Sequence, residues 1–141
     1  MLRKAVVTGS SGLVGSETVM FLDAAGWTVH GVDNNMRADF FGAGGDTRPT
    51  LERVRGAASR FVHHELDVRD RSGITALVQE LRPNLIVHAA GQPSHDLASR
   101  RVFDDFDVNA VGTLNVLEAA RKSALRLKAA LEGGEGDDED G

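Results

Sequence analysis

Lys4-Ala5-Val6-Val7-Thr8-Gly9-Ser10-Ser11-Gly12-Leu13-Val14-Gly15 is an apolar strand that runs into three glycines spaced three apart and then into a helix. A second strand, Trp27 to Val32, ends at Asp33, about eighteen residues after the last of those glycines. Strand, glycine turn, helix and a distant acid in this order form the fingerprint of a dinucleotide cradle. The chain also contains no tyrosine, and that absence bears on what it can catalyse.

A pyrophosphate needs its charge met without bulky side chains in the way. A helix N-terminus offers unpaired N–H groups and the positive end of a dipole. Gly9 permits the tight turn out of the strand, Gly12 lets the backbone approach phosphate, and Gly15 lets the helix lie close to the sheet. Ser10 and Ser11 add hydroxyls, and Leu13 and Val14 open the helix where its N–H groups are free. Gly9, Ser11, Gly12, Leu13, Val14 and Gly15 are therefore candidate cofactor contacts. Asp33 ends its strand beside them. A carboxylate there accepts from both adenosine ribose hydroxyls and repels a 2′-phosphate, which favours NAD over NADP, with Arg37 nearby as the opposing charge.

Other elements follow from periodicity. A helix is expected from about Gly12 to Ala25, with Val14, Thr18, Phe21, Leu22 and Ala25 inward. Asn34 to Pro49 reads as a polar, glycine-rich loop carrying Phe40 and Phe41. A short helix spans Thr50 to Ala58, and Arg60 to Leu66 is a third strand. Asp70 or Ser72 caps a helix to Leu81, with Ile74, Leu77, Val78 and Leu81 on one face. Leu85 to Ala89 is a fourth strand, and Gly91 to Arg100 a loop. A long helix runs from Val102 to Lys122 with Phe103, Phe106, Ala110, Leu114 and Leu117 as its inward stripe.

Strands alternating with helices predict an α/β chain: a Rossmann-type parallel sheet with helices on both faces, truncated to about four strands in the order 3-2-1-4. The expected division is a cofactor domain over residues 1–122 and a helical extension with a disordered acidic tail over 123–141. At the carboxyl edge, Asp67 accepts from an adenine amino group or caps the next helix. Val68 lies beside it. Ala89 and Ala90 are small enough for a cofactor to lie flat over the sheet.

Composition removes other classes. A chain of 141 residues holds one domain with a real core. Without cysteine there is no disulfide, thiolate nucleophile or cysteine-based zinc site, which fits a cytoplasmic location. The N-terminus turns into a strand too soon for a signal peptide, and no apolar run has membrane-spanning length. The net charge of −5 comes from six acids in the last ten residues; the body is near neutral, so no nucleic-acid footprint is expected. His63 and His64 are adjacent on a strand and point to opposite faces, so they do not chelate one metal. No metal site is expected. Ser94 and His95 are sequence neighbours without an oxyanion motif, and no hydrolase dyad is read there.

The segments Thr8–Gly15, Asp33, Leu66-Asp67-Val68, His88-Ala89-Ala90 and Asn109-x-x-Gly112-Thr113 resemble the extended short-chain dehydrogenase/reductases, the NAD-dependent epimerases and dehydratases of nucleotide sugars. The loops Asp33–Gly42 with Gly45-Asp46-Thr47, and Gln92-Pro93-Ser94-His95-Asp96, look like the CDP-paratose (CDP-tyvelose) 2-epimerase branch. The resemblance implies that Asn34, Asn35, Arg37 and Gln92 face cofactor and that Ser94 and His95 face substrate. It also implies a Tyr-x-x-x-Lys pair on a following strand and helix. No residue of this chain inherits the role of that phenol, so no catalytic residue is assigned. The chain looks like the cofactor half of such an enzyme, and three roles follow. It binds NAD and, completed by a partner, a nucleotide sugar; it is a non-catalytic sensing or docking module; or it is a remnant. The open sheet edge beyond the fourth strand predicts a homodimer.

Overall fold

The computed structural model describes residues 2–133. The acidic tail expected after Gly133 lies outside them. Four parallel strands, β1 (Lys4–Thr8), β2 (Thr28–Asp33), β3 (Phe61–Glu65) and β4 (Leu85–His88), form one sheet in the order β3-β2-β1-β4. Val6 pairs with His30 on one side and Ile86 on the other, and Val32 pairs with His64. The expected architecture and strand order are present.

Helices cover both faces because alternate strand residues supply two cores. Ala5, Val7 and Val29 pack with Val19 and Leu22 of α1 (Leu13–Ala24) and Val54 of α3 (Arg48–Ala57). Val6 and Val32 pack with Ile74 and Val78 of α4 (Arg71–Leu81) and Val116 and Ala119 of α7 (Gly112–Gly133). Asp70 is the N-cap of α4, accepting from the Gly73 N–H at 3.0 Å.

The structure corrects four expectations. The loop expected over 34–49 contains α2 (Met36–Phe41) and a 3-10 turn (Gly42–Gly45), and α3 starts at Arg48. The loop expected over 91–100 contains α5 (His95–Arg100), because the Ser94 hydroxyl accepts from the Leu97 N–H at 3.2 Å and caps it. The inward stripe of α1 is Gly15, Ser16, Val19, Leu22 and Asp23. Of the expected residues only Leu22 is buried; Val14 and Phe21 are largely exposed.

The fourth correction is the largest. The expected long helix is α6 (Val102–Phe106), a π-helical segment (Asp107–Val111) and then α7. Its buried residues are Val108, Gly112, Asn115, Val116 and Ala119. Phe103, Phe106, Ala110, Leu114 and Leu117 face outward, with Phe103 85% exposed. A π turn adds a residue and rotates everything after it. The inward side also needs small residues, since a Cβ on Gly112 would come within 2.9 Å of Val68. Among the described residues no helix is long and apolar enough to cross a membrane.

Candidate cofactor site

The three glycines are held for different reasons. Gly9 has φ +67°, and a Cβ there would lie 2.8–2.9 Å from the backbone of Ala89 and Ala90. A Cβ on Gly15 would lie 1.9 Å from the Gly9 carbonyl oxygen. On Gly12 it would meet only that same oxygen, at 3.2 Å. The protein's own packing demands two of the glycines strictly; the third faces the space above the turn. Gly12 begins α1 with no side-chain cap and no acid in the first turn, so positive N–H groups point into that space.

This space is a groove of about 390 Å³ along the carboxyl edge of the sheet. Its floor is Gly9, Gly12, Leu13, Val14 and Gly15, with Val68, Ala89 and Ala90 from the neighbouring strand ends. Asp33, Asn34, Arg37 and Phe40 form one wall; Gln92 and Pro93 form the other. The Asp33 carboxylate is fixed at both oxygens. The Ser11 N–H donates to Oδ2 at 3.1 Å and the Asn35 N–H to Oδ1 at 2.8 Å. Each oxygen keeps lone-pair capacity for a ribose hydroxyl. The Ser10 and Ser11 hydroxyls are both buried without a hydrogen-bond partner, and neither residue is among those lining the groove, so the expected contact from Ser11 to a cofactor is made by its backbone setting rather than by its side chain. Glycine cradle, uncapped helix end and fixed carboxylate all fit a dinucleotide.

Several candidate side chains are spent on building the walls. Asn35, at φ +58°, turns back into its own loop: its amide donates to Asp46 at 3.0 Å, and its carbonyl accepts from the Thr47 N–H at 2.8 Å and hydroxyl at 3.0 Å. Arg48 hydrogen bonds hold the Asp46 carboxyl well below the usual carboxylate range. Gln92 is buried, and its amide donates to Ser94 O at 3.0 Å and Asp105 at 2.9 Å. Ser94 and His95 begin α5 and are not among the groove residues. Asp67 does not cap α4. Burial raises its pKa, but the hydrogen bonds from Arg69 outweigh that and leave it lowered.

The segment Asn109-x-x-Gly112-Thr113 has a structural reason at each named position. Asn109 Oδ1 accepts from the Gln92 N–H at 2.8 Å, and its Nδ2 donates to Gln92 O at 3.0 Å, which pins one groove wall. Gly112 makes room for Val68. Thr113 meets the His88 ring, its Oγ1 3.1 Å from Nε2. The Thr8 hydroxyl accepts from the Ala89 and Ala90 N–H groups and so donates its proton to His88 Nδ1 at 2.7 Å. Thr113 donates its own proton to Asn109 O at 2.6 Å. His88 is therefore neutral, with the proton on Nε2. Thr8 and Asn115, which donates to Val68 O at 2.9 Å, were not singled out from sequence. The signal was a polar residue inside an apolar strand or helix face.

These histidines make the fold sensitive to acid. Burial lowers the pKa of His88, and of His30 and His64, whose rings share one hydrogen bond at 2.9 Å. The unfolded chain takes up these protons first as pH falls. Stability is complete above the ordinary value of 6.5 and is lost below it as pH approaches the lowered folded values. Tm should fall clearly between about pH 7.5 and pH 5.5. A flat Tm over that interval contradicts the assignment.

Comparison with known proteins agrees with this geometry. The family described as NAD dependent epimerase/dehydratase matches residues 5–131. The chain is 30% identical over 127 residues to UDP-glucose 4-epimerase of Homo sapiens, covering 89% of this chain and 36% of that protein. It is 33% identical over 125 residues to GDP-mannose 4,6-dehydratase of Vibrio cholerae, covering 89% and 33%. It superposes on UDP-glucose 4-epimerase of Thermus thermophilus in complex with NAD with a TM-score of 0.68 at 30% identity, covering 86% and 34%. For the Stenotrophomonas maltophila UDP-glucose-4-epimerase with bound NAD and formylated UDP-arabinopyranose the TM-score is 0.72 at 26% identity, covering 86% and 34%. The chain spans about a third of the length of these relatives. With glycine turn, strand order and helix segment all in place, this chain belongs to the NAD-dependent epimerase/dehydratase family.

Proposed function

We propose that residues 1–122 form the NAD-binding unit of a nucleotide-sugar epimerase or dehydratase, with CDP-paratose as the favoured substrate class. One observation carries the cofactor reading: the Asp33 carboxylate, fixed by the Ser11 and Asn35 N–H groups, stands beside an uncapped helix end in a glycine-lined groove. Bound NAD supplies a hydride acceptor and donor. This chain's residues do the binding and orienting. The α1 N-terminus meets the pyrophosphate, Asp33 holds the adenosine ribose and repels a 2′-phosphate, and Ala89 and Ala90 leave the sheet edge flat. The sugar assignment rests on the resemblance of the loops after Asp33 and at 92–96.

Calorimetric titration with NAD and NADP tests the cofactor reading. Saturable NAD binding tighter than NADP is expected; no heat from a folded chain overturns it. A chain without tyrosine has no phenol to take the sugar hydroxyl proton. Incubated with NAD and CDP-paratose, it should form no CDP-tyvelose. Turnover above a heat-denatured control would mean that another group acts as the base.

A further inference from the structure

The groove walls arise from different strand ends, and a contact runs from one wall to the segment behind the other. Phe40, on α2 after β2, lines the groove. The Arg101 guanidinium carbon stands 4.7 Å over its ring centroid. Arg101 sits between α5 and α6, beyond β4, in a non-helical conformation (φ −122°, ψ 61°), and is not a groove residue. Its position is imposed from behind. Nε donates to Asp104 at 2.7 Å, and Asp104 also faces Arg69 at 3.5 Å. Arg69 is gripped by Asp67 at the end of the third strand. Acids and bases alternate along Asp67, Arg69, Asp104 and Arg101, and the chain of contacts ends on an aromatic face.

We propose that Phe40 and Arg101 form a latch across the mouth of the nucleotide groove and set how fast a dinucleotide enters and leaves. The inference rests on the NAD reading above. A cation over an aromatic face at a partly exposed site is weak. The latch therefore opens readily and acts on rates. Because it closes the free groove as well as the filled one, breaking it speeds association and dissociation together and leaves affinity nearly unchanged.

Stopped-flow fluorescence with NADH as the probe separates these quantities. Arg101→Ala should raise both rate constants by about 2- to 5-fold, with Kd moving less than about twofold. Phe40→Leu, which removes the aromatic face, should also raise both rate constants by about 2- to 5-fold; because Phe40 itself lines the groove, the affinity criterion is applied to Arg101→Ala alone. The double variant should add nothing further, since either change removes the one contact. Arg101→Lys should fall between, retaining charge but not the planar stack. Unchanged rates in both single variants, or effects that multiply in the double variant, overturn the latch alone. A rise in dissociation without one in association also overturns it, because that marks an ordinary binding contact. Failure of the parent chain to bind NADH overturns the latch and the NAD reading together.

Discussion

Gly15→Ala is expected to cost about 3 kcal/mol of stability and to lower the urea midpoint by about 1–3 M. The added carbon would lie 1.9 Å from Gly9 O, 2.6 Å from Gly9 C and 3.0 Å from the Ser10 Cα. All three are backbone atoms of the turn, so no rotamer change relieves the clash. The helix must back away from the sheet, taking Val19 and Leu22 with it. Gly12→Ala meets one atom at 3.2 Å and should cost about 1 kcal/mol or less. Gly44→Ala meets nothing within 4 Å and serves as the control. Equal losses at positions 12 and 15 would show that the turn is looser than its geometry implies.

Asp33→Ala is expected to weaken NAD binding by about 10- to 100-fold, measured by the same titration as for the parent chain. The ribose loses its charged acceptor, and the Ser11 and Asn35 N–H groups lose theirs. NADP binding should weaken less, because the carboxylate that repels a 2′-phosphate leaves with the same substitution. Asp33→Asn keeps one carbonyl oxygen for two N–H donors and should fall between. Binding of NAD within twofold of the parent would remove Asp33 from the site.

Strand order and the glycine turn were legible in sequence because each rests on short-range signals: apolar runs of strand length, a glycine triplet and an acid at a fixed distance. What misled was the assumption that the most apolar helix face points inward. In α1 and α7 the sheet-facing side is selected for smallness and hydrogen bonding, as at Gly15, Gly112, Asn115 and Ala119. The bulky residues Phe21, Leu114 and Leu117 are left outside. The π segment at Asp107–Val111 has no compositional mark, so the phase change after Phe106 was invisible. The short helices α2 and α5 were hidden by a related effect, since six residues are too few for periodicity to register, and only α5 carries a side-chain cap, at Ser94. At the site, the glycines and Asp33 were readable as residue types. The commitment of Asn35 and Gln92 to wall building depends on partners eleven to seventeen positions away, which no local pattern reports.

The position of β1 between β2 and β4 has a consequence for how the protein is made. During synthesis β1 emerges before both of its neighbours, and its pairing with β2 is available once Asp33 has left the ribosome. Its other edge waits for Leu85–His88. At about 5–20 residues per second that wait lasts several seconds, during which one edge of Ala5-Val6-Val7 is unpaired beside a half-built core. A nascent chain paused before Leu85 therefore presents an open strand edge, the kind of surface that pairs with other chains, until β4 closes it.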